Sequence, residues 1–527
     1  MIPQLAFSLL LSILAPLLWA DCPTVITRQG PVQGSKEYTK DGTMIYQFLG
    51  IPFAQPPIGR LRFEVSFSDG SDFGEDCLYL NVWTSDLKGN LPVLIFIHGG
   101  GFLQGSAARH PGKPLMEVYA RRGIVMVTIQ YRLGPFGFLT KNDSRISPNL
   151  GLWDQNRALK WVNENIDRFG GDPKRVTIFG ESAGSVSVSY QTISEHSKNL
   201  FSAAIEMSGS MLCGFAKGKN VVKFTEEYIK ALGCGDARDY KECLQSKSEH
   251  EFLNVKAGWG DICGFSDLDY LGFAPIPDGD FLPLDVETAI ETAPKVPTLM
   301  GVNQKEGRAF TLQGEFPYSM APSFYKMANS KYLKAYIKDW ITSGGYLEHE
   351  KDAAGEDIYK FLSMDNDNDT DHFFWIEQYV LSYSDFMMNI PIVREAVART
   401  KSGSPVWAFT FDHSNPAQWP KDQPVQGSTH AGEYPWTLEM HLNFNYTAED
   451  LVVKDAIQDL FVQFVKTRDP NIDRLKWDPF TIENFDYMSI SPKSEMKKDW
   501  FGSNYRFWTN TMNKYSYDFI SEQKWKS

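Results

Sequence analysis

Apolar runs of strand length recur along the chain, at residues 91–97 (LPVLIFI), 175–179 (RVTIF), 296–302 (VPTLMGV) and 406–411 (VWAFTF). They lack the strict alternation of a half-wetted strand, and the first is continuous, the pattern of a parallel strand covered on both faces. Residues 154–169 instead repeat apolar positions at helical spacing, Leu159, Val162, Ile166 and Phe169, which predicts a helix laid against that sheet. A late helix is predicted over 456–466. Between 213 and 295, and again from 310 to 401, the text is irregular, aromatic and helix-like, as insertions capping a sheet would be. No internal repeat is found.

Chemistry collects where these runs end. Run 175–179 leads into Gly180-Glu181-Ser182-Ala183-Gly184, which opens a small-residue helix. A serine on a sharp strand-to-helix turn needs glycines on both sides, because side chains there would collide with neighbouring backbone. Ser182 is therefore the candidate nucleophile. By itself the pattern also occurs by chance as a plain turn. Its company changes the reading: run 91–97 ends in His98-Gly99-Gly100-Gly101-Phe102, whose bare amides can approach an oxygen that becomes negative during acyl transfer. Gly100, Gly101 and Ala183, the residue after the serine, are the candidate oxyanion donors. A flexible glycine turn would account for the glycines, but not for their pairing with the serine turn.

Further motifs accompany these two: residues 48–54 (FLGIPFA) with Pro56-Pro57, 75–82 (EDCLYLNV), 131–134 (YRLG) with Gly137-Phe138, Asp154-Gln155 leading to 169–173 (FGGDP), 208–210 (SGS) and 466–471 (KTRDPN). With them the chain resembles, over nearly its whole length, the type-B carboxylesterase and cholinesterase family of α/β hydrolases. The resemblance implies an α/β-hydrolase fold, a central mostly parallel sheet flanked by helices with helical cap insertions. It implies a single domain over residues 21–527, although that length exceeds the usual domain size. It also implies a triad of Ser182, Glu306 in the loop 303–307 (NQKEG) and His430 in 427–433 (GSTHAGE), in the chain order Ser, Glu, His. A serine hydroxyl is a weak nucleophile at neutral pH, so an imidazole must take its proton and an acid must hold the imidazole's tautomer.

By the same resemblance His98, the chief rival, braces the glycine loop. The other histidines, His110, His196, His250, His349, His372, His413 and His441, are expected at surface or cap positions. Glu181 is expected to add its field beside the nucleophile. Cys234 and Cys243 correspond to the family's small cap disulfide, while Cys22, Cys77, Cys213 and Cys263 stay unassigned.

A net charge of −13 argues against nucleic acid or an anionic membrane surface as partner. The expected partner is a small-molecule carboxylic ester, with no metal or organic cofactor needed. Residues 1–20 read as a signal peptide: the mostly apolar stretch from Leu5 to Trp19 is too short to span a membrane, and Ala20 suits cleavage. No later stretch approaches about 18 uninterrupted apolar residues, so no membrane anchor is expected. The secretory route brings in the glycosylation sequons at Asn142, Asn368 and Asn445, and it suits six cysteines. Residues 365–369 (DNDND) lack the glycine and terminal glutamate of a calcium loop and are expected to be an exposed turn.

One departure from the family bears on specificity. Relatives carry a long disulfide-closed loop where this chain has only residues 64–74 between Arg62-Phe63 and Glu75. The cysteine that would pair with Cys77 is missing, and so is the loop tryptophan with which cholinesterases hold a quaternary ammonium. Acetylcholine is therefore not the expected substrate. The reading is a secreted serine carboxylesterase. The alternatives are a non-catalytic cholinesterase-like adhesion or binding protein, whose members usually lose a triad residue and carry a membrane span, and a lipase acting on long-chain esters.

Overall fold

The computed structural model describes residues 22–64, 75–110, 112–255, 272–312, 319–419, 423–440, 444–521 and 523–524. Residues 1–21 with the predicted signal peptide, residues 65–74 before Glu75, Cys263 and His441 lie outside the described residues. A hairpin of β1 (Thr24–Thr27) and β2 (Gly30–Gln33) comes first. The strands β3 (Ser35–Tyr38), β4 (Met44–Pro52), β5 (Tyr79–Thr84), β6 (Leu91–Ile97), β7 (Val125–Ile129), β8 (Gly171–Glu181), β9 (Ala203–Met207), β10 (Thr298–Asn303), β11 (Val406–Phe411), β12 (Tyr487–Ile490) and β13 (Glu495–Lys497) then form one sheet. Its order is β13-β12-β11-β10-β9-β8-β6-β7-β5-β4-β3. The neighbours from β7 to β12 are all parallel, and both flanks are antiparallel.

The four predicted strands are present. β6 and β11 keep their predicted bounds, and β8 extends on both sides of 175–179. β10 starts at Thr298 rather than at 296, because Pro297 has no N–H and contributes only its carbonyl, to Ala204. Along β6, Val93, Ile95 and Ile97 enter one core with the helices Leu150–Asn165 and Ala183–Ile193, while Leu94 and Phe96 enter a second core with the helix Ala448–Thr467. Side chains alternate across a strand, so a sheet covered on both faces must be apolar at every position. That is why these runs do not alternate.

The stripe Leu159, Val162, Ile166 and Phe169 is buried, but only its first half is α-helical. The helix ends at Asn165, and residues Ile166–Phe169 tighten into a 3₁₀ turn stopped by Gly170 at φ +80°. The helix predicted over 456–466 is the second half of Ala448–Thr467, whose start is set by a capping box between Thr447 and Asp450.

The cap begins after β9. Cys234 and Cys243 are joined by a disulfide beside the helices Val221–Ala231 and Tyr240–Gln245. Helices Ser330–Ser343, Lys351–Ser363, His372–Ser384 and Ile390–Lys401 build the second insertion. Cys22, Cys77 and Cys213 are free thiols, and burial pushes the Cys77 thiol up to about 12.

Candidate active site

The loops at the carboxyl edge of the sheet bring the predicted residues together. Ser182 follows β8 with φ +57° and ψ −126°, a strained conformation in which it is 8% exposed. Packing leaves no room for side chains around it. A Cβ on Gly180 would sit 2.2 Å from the Gly184 carbonyl oxygen, and one on Gly209 would sit 2.3 Å from that of Ser182. The next helix, Ala183–Ile193, is buried along its whole length, so its serines need internal partners. Ser185 Oγ donates to the Gly209 carbonyl at 2.6 Å and Ser187 Oγ to that of Ala183 at 2.8 Å. Ser189 Oγ lies 2.8 Å from the Glu395 carboxylate.

His430 Nε2 lies 2.8 Å from Ser182 Oγ, and its Nδ1 lies 2.8 Å from Glu306 Oε2. Glu306 is fully buried rather than the solvated acid that loop position alone would suggest. Its second oxygen accepts from Ser208 Oγ at 2.5 Å, from the Asn303 backbone N–H at 2.5 Å and from Asn303 Nδ2 at 3.3 Å. These donors fix the carboxylate in place.

Two further buried acids crowd the imidazole. Glu181 Oε1 lies 3.4 Å from His430 Nε2, and its other oxygen accepts from the Tyr434 hydroxyl at 2.9 Å. Glu433 accepts from Asn303 Nδ2 at 2.5 Å. Burial raises Glu181 to about 7, against the pull of His430, and burial with the charges of Glu181 and Glu306 raises Glu433 to about 8. For His430, burial favours the neutral ring, but the charge of Glu181 and then the hydrogen bond and charge of Glu306 outweigh it and lift the imidazole to about 9.

The glycine loop runs against this cluster. Gly99 packs so closely that a Cβ there would lie 2.9 Å from Glu181 Oε2 and 3.0 Å from Ser182 Cβ. Gly100 has φ +115° and Gly101 φ +63°, backbone that side-chain-bearing residues rarely adopt. Among the described residues the N–H groups of Gly100, Gly101 and Ala183 donate to no protein acceptor.

His98 is not brought to the serine. It is buried, hydrogen-bonds through Nδ1 to the Gly99 carbonyl at 2.9 Å and stacks on Tyr131 at 4.5 Å. Burial pushes its pKa down to about 4, so it braces the loop as a neutral ring. The expectation that the remaining histidines are surface or cap residues fails for two of them. His110 is buried between Phe96 and Tyr434, and His413 lies nearly buried on Asp450 at 2.6 Å with its ring against Trp436. Ser208, Tyr131, Asn303 and Glu433 stand in motifs quoted above, but the sequence assigns them no role at the site, and Tyr434 carries no signal of its own. The usable signal was local: Asn303 and Glu433 stand three residues from Glu306 and His430.

Around the shortened segment, Arg62 Nε pairs with Glu75 Oε1 at 2.5 Å, and its guanidinium donates to the Leu244 carbonyl at 2.9 Å. Both ends of the segment are thus tied to each other and to the first cap insertion. Asn142, Asn368 and Asn445 are exposed, and residues 365–369 form a solvent-facing turn. No helix among the described residues is long and apolar enough to cross a membrane.

A mostly parallel sheet with a strained serine turn at its carboxyl edge is the α/β-hydrolase architecture. The chain matches the model of the carboxylesterase family over residues 21–68 and 64–508, and it belongs to that family. The two matched stretches meet at residues 64–68, at the start of the segment before Glu75. It is 33% identical to gut esterase 1 of Caenorhabditis briggsae over 95% of both chains. It is 31% identical to bile salt-activated lipase of Bos taurus, covering 93% of this chain and 87% of that one. It is 30% identical to acetylcholinesterase of Danio rerio, covering 89% and 84%. The protein is a carboxylic ester hydrolase.

Proposed function

We propose a secreted serine carboxylesterase that works through an acyl-enzyme. Ser182 Oγ attacks the ester carbonyl as His430 takes its proton, Glu306 holds the imidazole, and the N–H groups of Gly100, Gly101 and Ala183 stabilise the oxyanion. Collapse of the tetrahedral adduct breaks the carbonyl–alkoxy bond, and His430 returns the proton to the departing alcohol. Water then repeats the sequence and frees the acid. The observation that carries this reading is the unbroken line from Ser182 Oγ through His430 to buried Glu306, with both links at 2.8 Å. Secretion rests on the leader sequence, and the exposed sequon asparagines are consistent with it. Fluorophosphonate labelling with and without the serine is the direct test.

The charge around His430 sets the pH dependence. The base must be unprotonated, and its pKa is raised, so kcat/KM should climb as pH rises through neutrality toward about 9. The charge of Glu181 pulls on that proton more strongly than that of Glu306, so Glu181→Gln should shift the acid limb of the kcat/KM profile to lower pH, whatever it does to the plateau. An unmoved limb would take Glu181 out of the base's environment.

The missing loop tryptophan gives a specificity prediction. A cation over an aromatic face is worth about 0.5–2 kcal/mol, or roughly 2- to 30-fold in kcat/KM. Lacking it, the enzyme should favour 3,3-dimethylbutyl butyrate over butyrylcholine, its isosteric cation. A clear preference for the choline ester would show that another aromatic has taken the role.

A further inference from the structure

The other buried guanidiniums beside the site have their acids. Arg132 pairs with Asp154 at 2.7 Å, and Arg399 with Glu395 at 2.6 Å. Arg308 differs. It opens the short helix Arg308–Thr311 two residues past Glu306, and it is 1% exposed. Its guanidinium lies 3.7 Å over the Trp419 ring, yet Nε and Nη1 have no hydrogen-bond partner. Burial lowers its pKa only to about 10, so it is cationic at neutral pH.

Its place in the fold gives that charge a direction. Phe310, on the same helical turn, has its ring 5.1 Å from the His430 imidazole. Trp419 stands on the segment that leads into the His430 loop. The stacked pair therefore joins the loop of the triad acid to the approach of the loop of the triad base. A desolvated cation with free donors binds an anion far more strongly than a wetted one does, and stacking on an aromatic face orients a planar guanidinium for it.

We infer that Arg308, backed by Trp419, is a subsite for a carboxylate carried by the ester substrate, on its acyl or its alcohol side. The inference rests on the esterase reading above. The structure offers that charge no acid of its own among the described residues, so the compensating anion arrives with the ligand.

The test compares kcat/KM for esters that end in a carboxylate with isosteric esters that end in a carboxamide. One arm uses monoethyl esters of succinic to suberic acid, the other butyrate esters of ω-hydroxy acids of the same lengths. In one arm, at its best chain length, the wild-type enzyme should prefer the carboxylate by about tenfold or more, the scale of a charge-assisted pair out of water. Arg308→Gln should bring that ratio close to one, and Arg308→Lys should keep part of it. A ratio near one in the wild-type enzyme, in both arms and at every length, overturns the inference without any variant having to fold. So does a preference that survives in Arg308→Gln. Turnover of the carboxamide esters that persists in Ser182→Ala would instead overturn the esterase site itself, and lack of turnover of either ester would overturn both.

Discussion

Alanine at Ser182 should abolish covalent labelling by a fluorophosphonate and reduce ester turnover by a factor on the order of 10⁵ to 10⁶, the loss expected when one member of a triad acting as a unit is removed. The geometry leaves no substitute. Ser182 is the hydroxyl on His430 Nε2 at 2.8 Å, while the nearby Ser208 hydroxyl is already committed to Glu306 at 2.5 Å. The neighbouring serines of the Ala183–Ile193 helix are buried and donate elsewhere. The variant should still fold, since the strained turn is held by Gly180, Gly184 and Gly209 rather than by the serine side chain. Labelling that persists in Ser182→Ala would place the nucleophile elsewhere.

How much of this was legible follows from where each constraint acts. The strands that carry the chemistry could be read because parallel strands buried on both faces must be apolar throughout, as β6, β10 and β11 are. The serine turn and the glycine loop could be read because only glycine fits their backbone, so a steric demand is written directly as residue type. The proposed acid and base became visible through family resemblance, since nothing in the sequence near Glu306 states that Ser208, 98 residues earlier, will donate to it. Non-local pairing hid the rest. His413 looks like a surface histidine until Asp450, 37 residues later, comes back beside it. Glu206, Glu395 and Arg399 read as helix and strand charges, yet they form a fully buried network that takes hydrogen bonds from Ser189 and Ser210. Removing one partner from such a network leaves an uncompensated buried charge, so its members hold one another in place behind the serine turn.

Valine at Gly100 should cost about 10²- to 10³-fold in kcat, the effect of losing one preorganised oxyanion donor, about 2.7–4 kcal/mol. The sequence suggested that a side chain there would block the approach of the backbone to substrate. The structure gives a different and stronger reason. At φ +115°, a Cβ on Gly100 would lie 2.1 Å from the Gln104 carbonyl oxygen, so the turn from Gly100 to Gln104, closed by the Gln104 N–H to Gly100 carbonyl bond at 3.1 Å, has to open. The displaced atoms are the same amides that face the developing charge in the proposed mechanism. Phe102 and Leu103 anchor the far side of the turn in the first core, and neither has to leave it for the Gly100 end to open, so the thermal midpoint should move less than the rate. A slow fluorophosphonate reaction with an intact melting transition is the expected result for Gly100→Val. Wild-type turnover in that variant would remove the glycine loop from the mechanism and leave Ala183 as the only donor with a structural case.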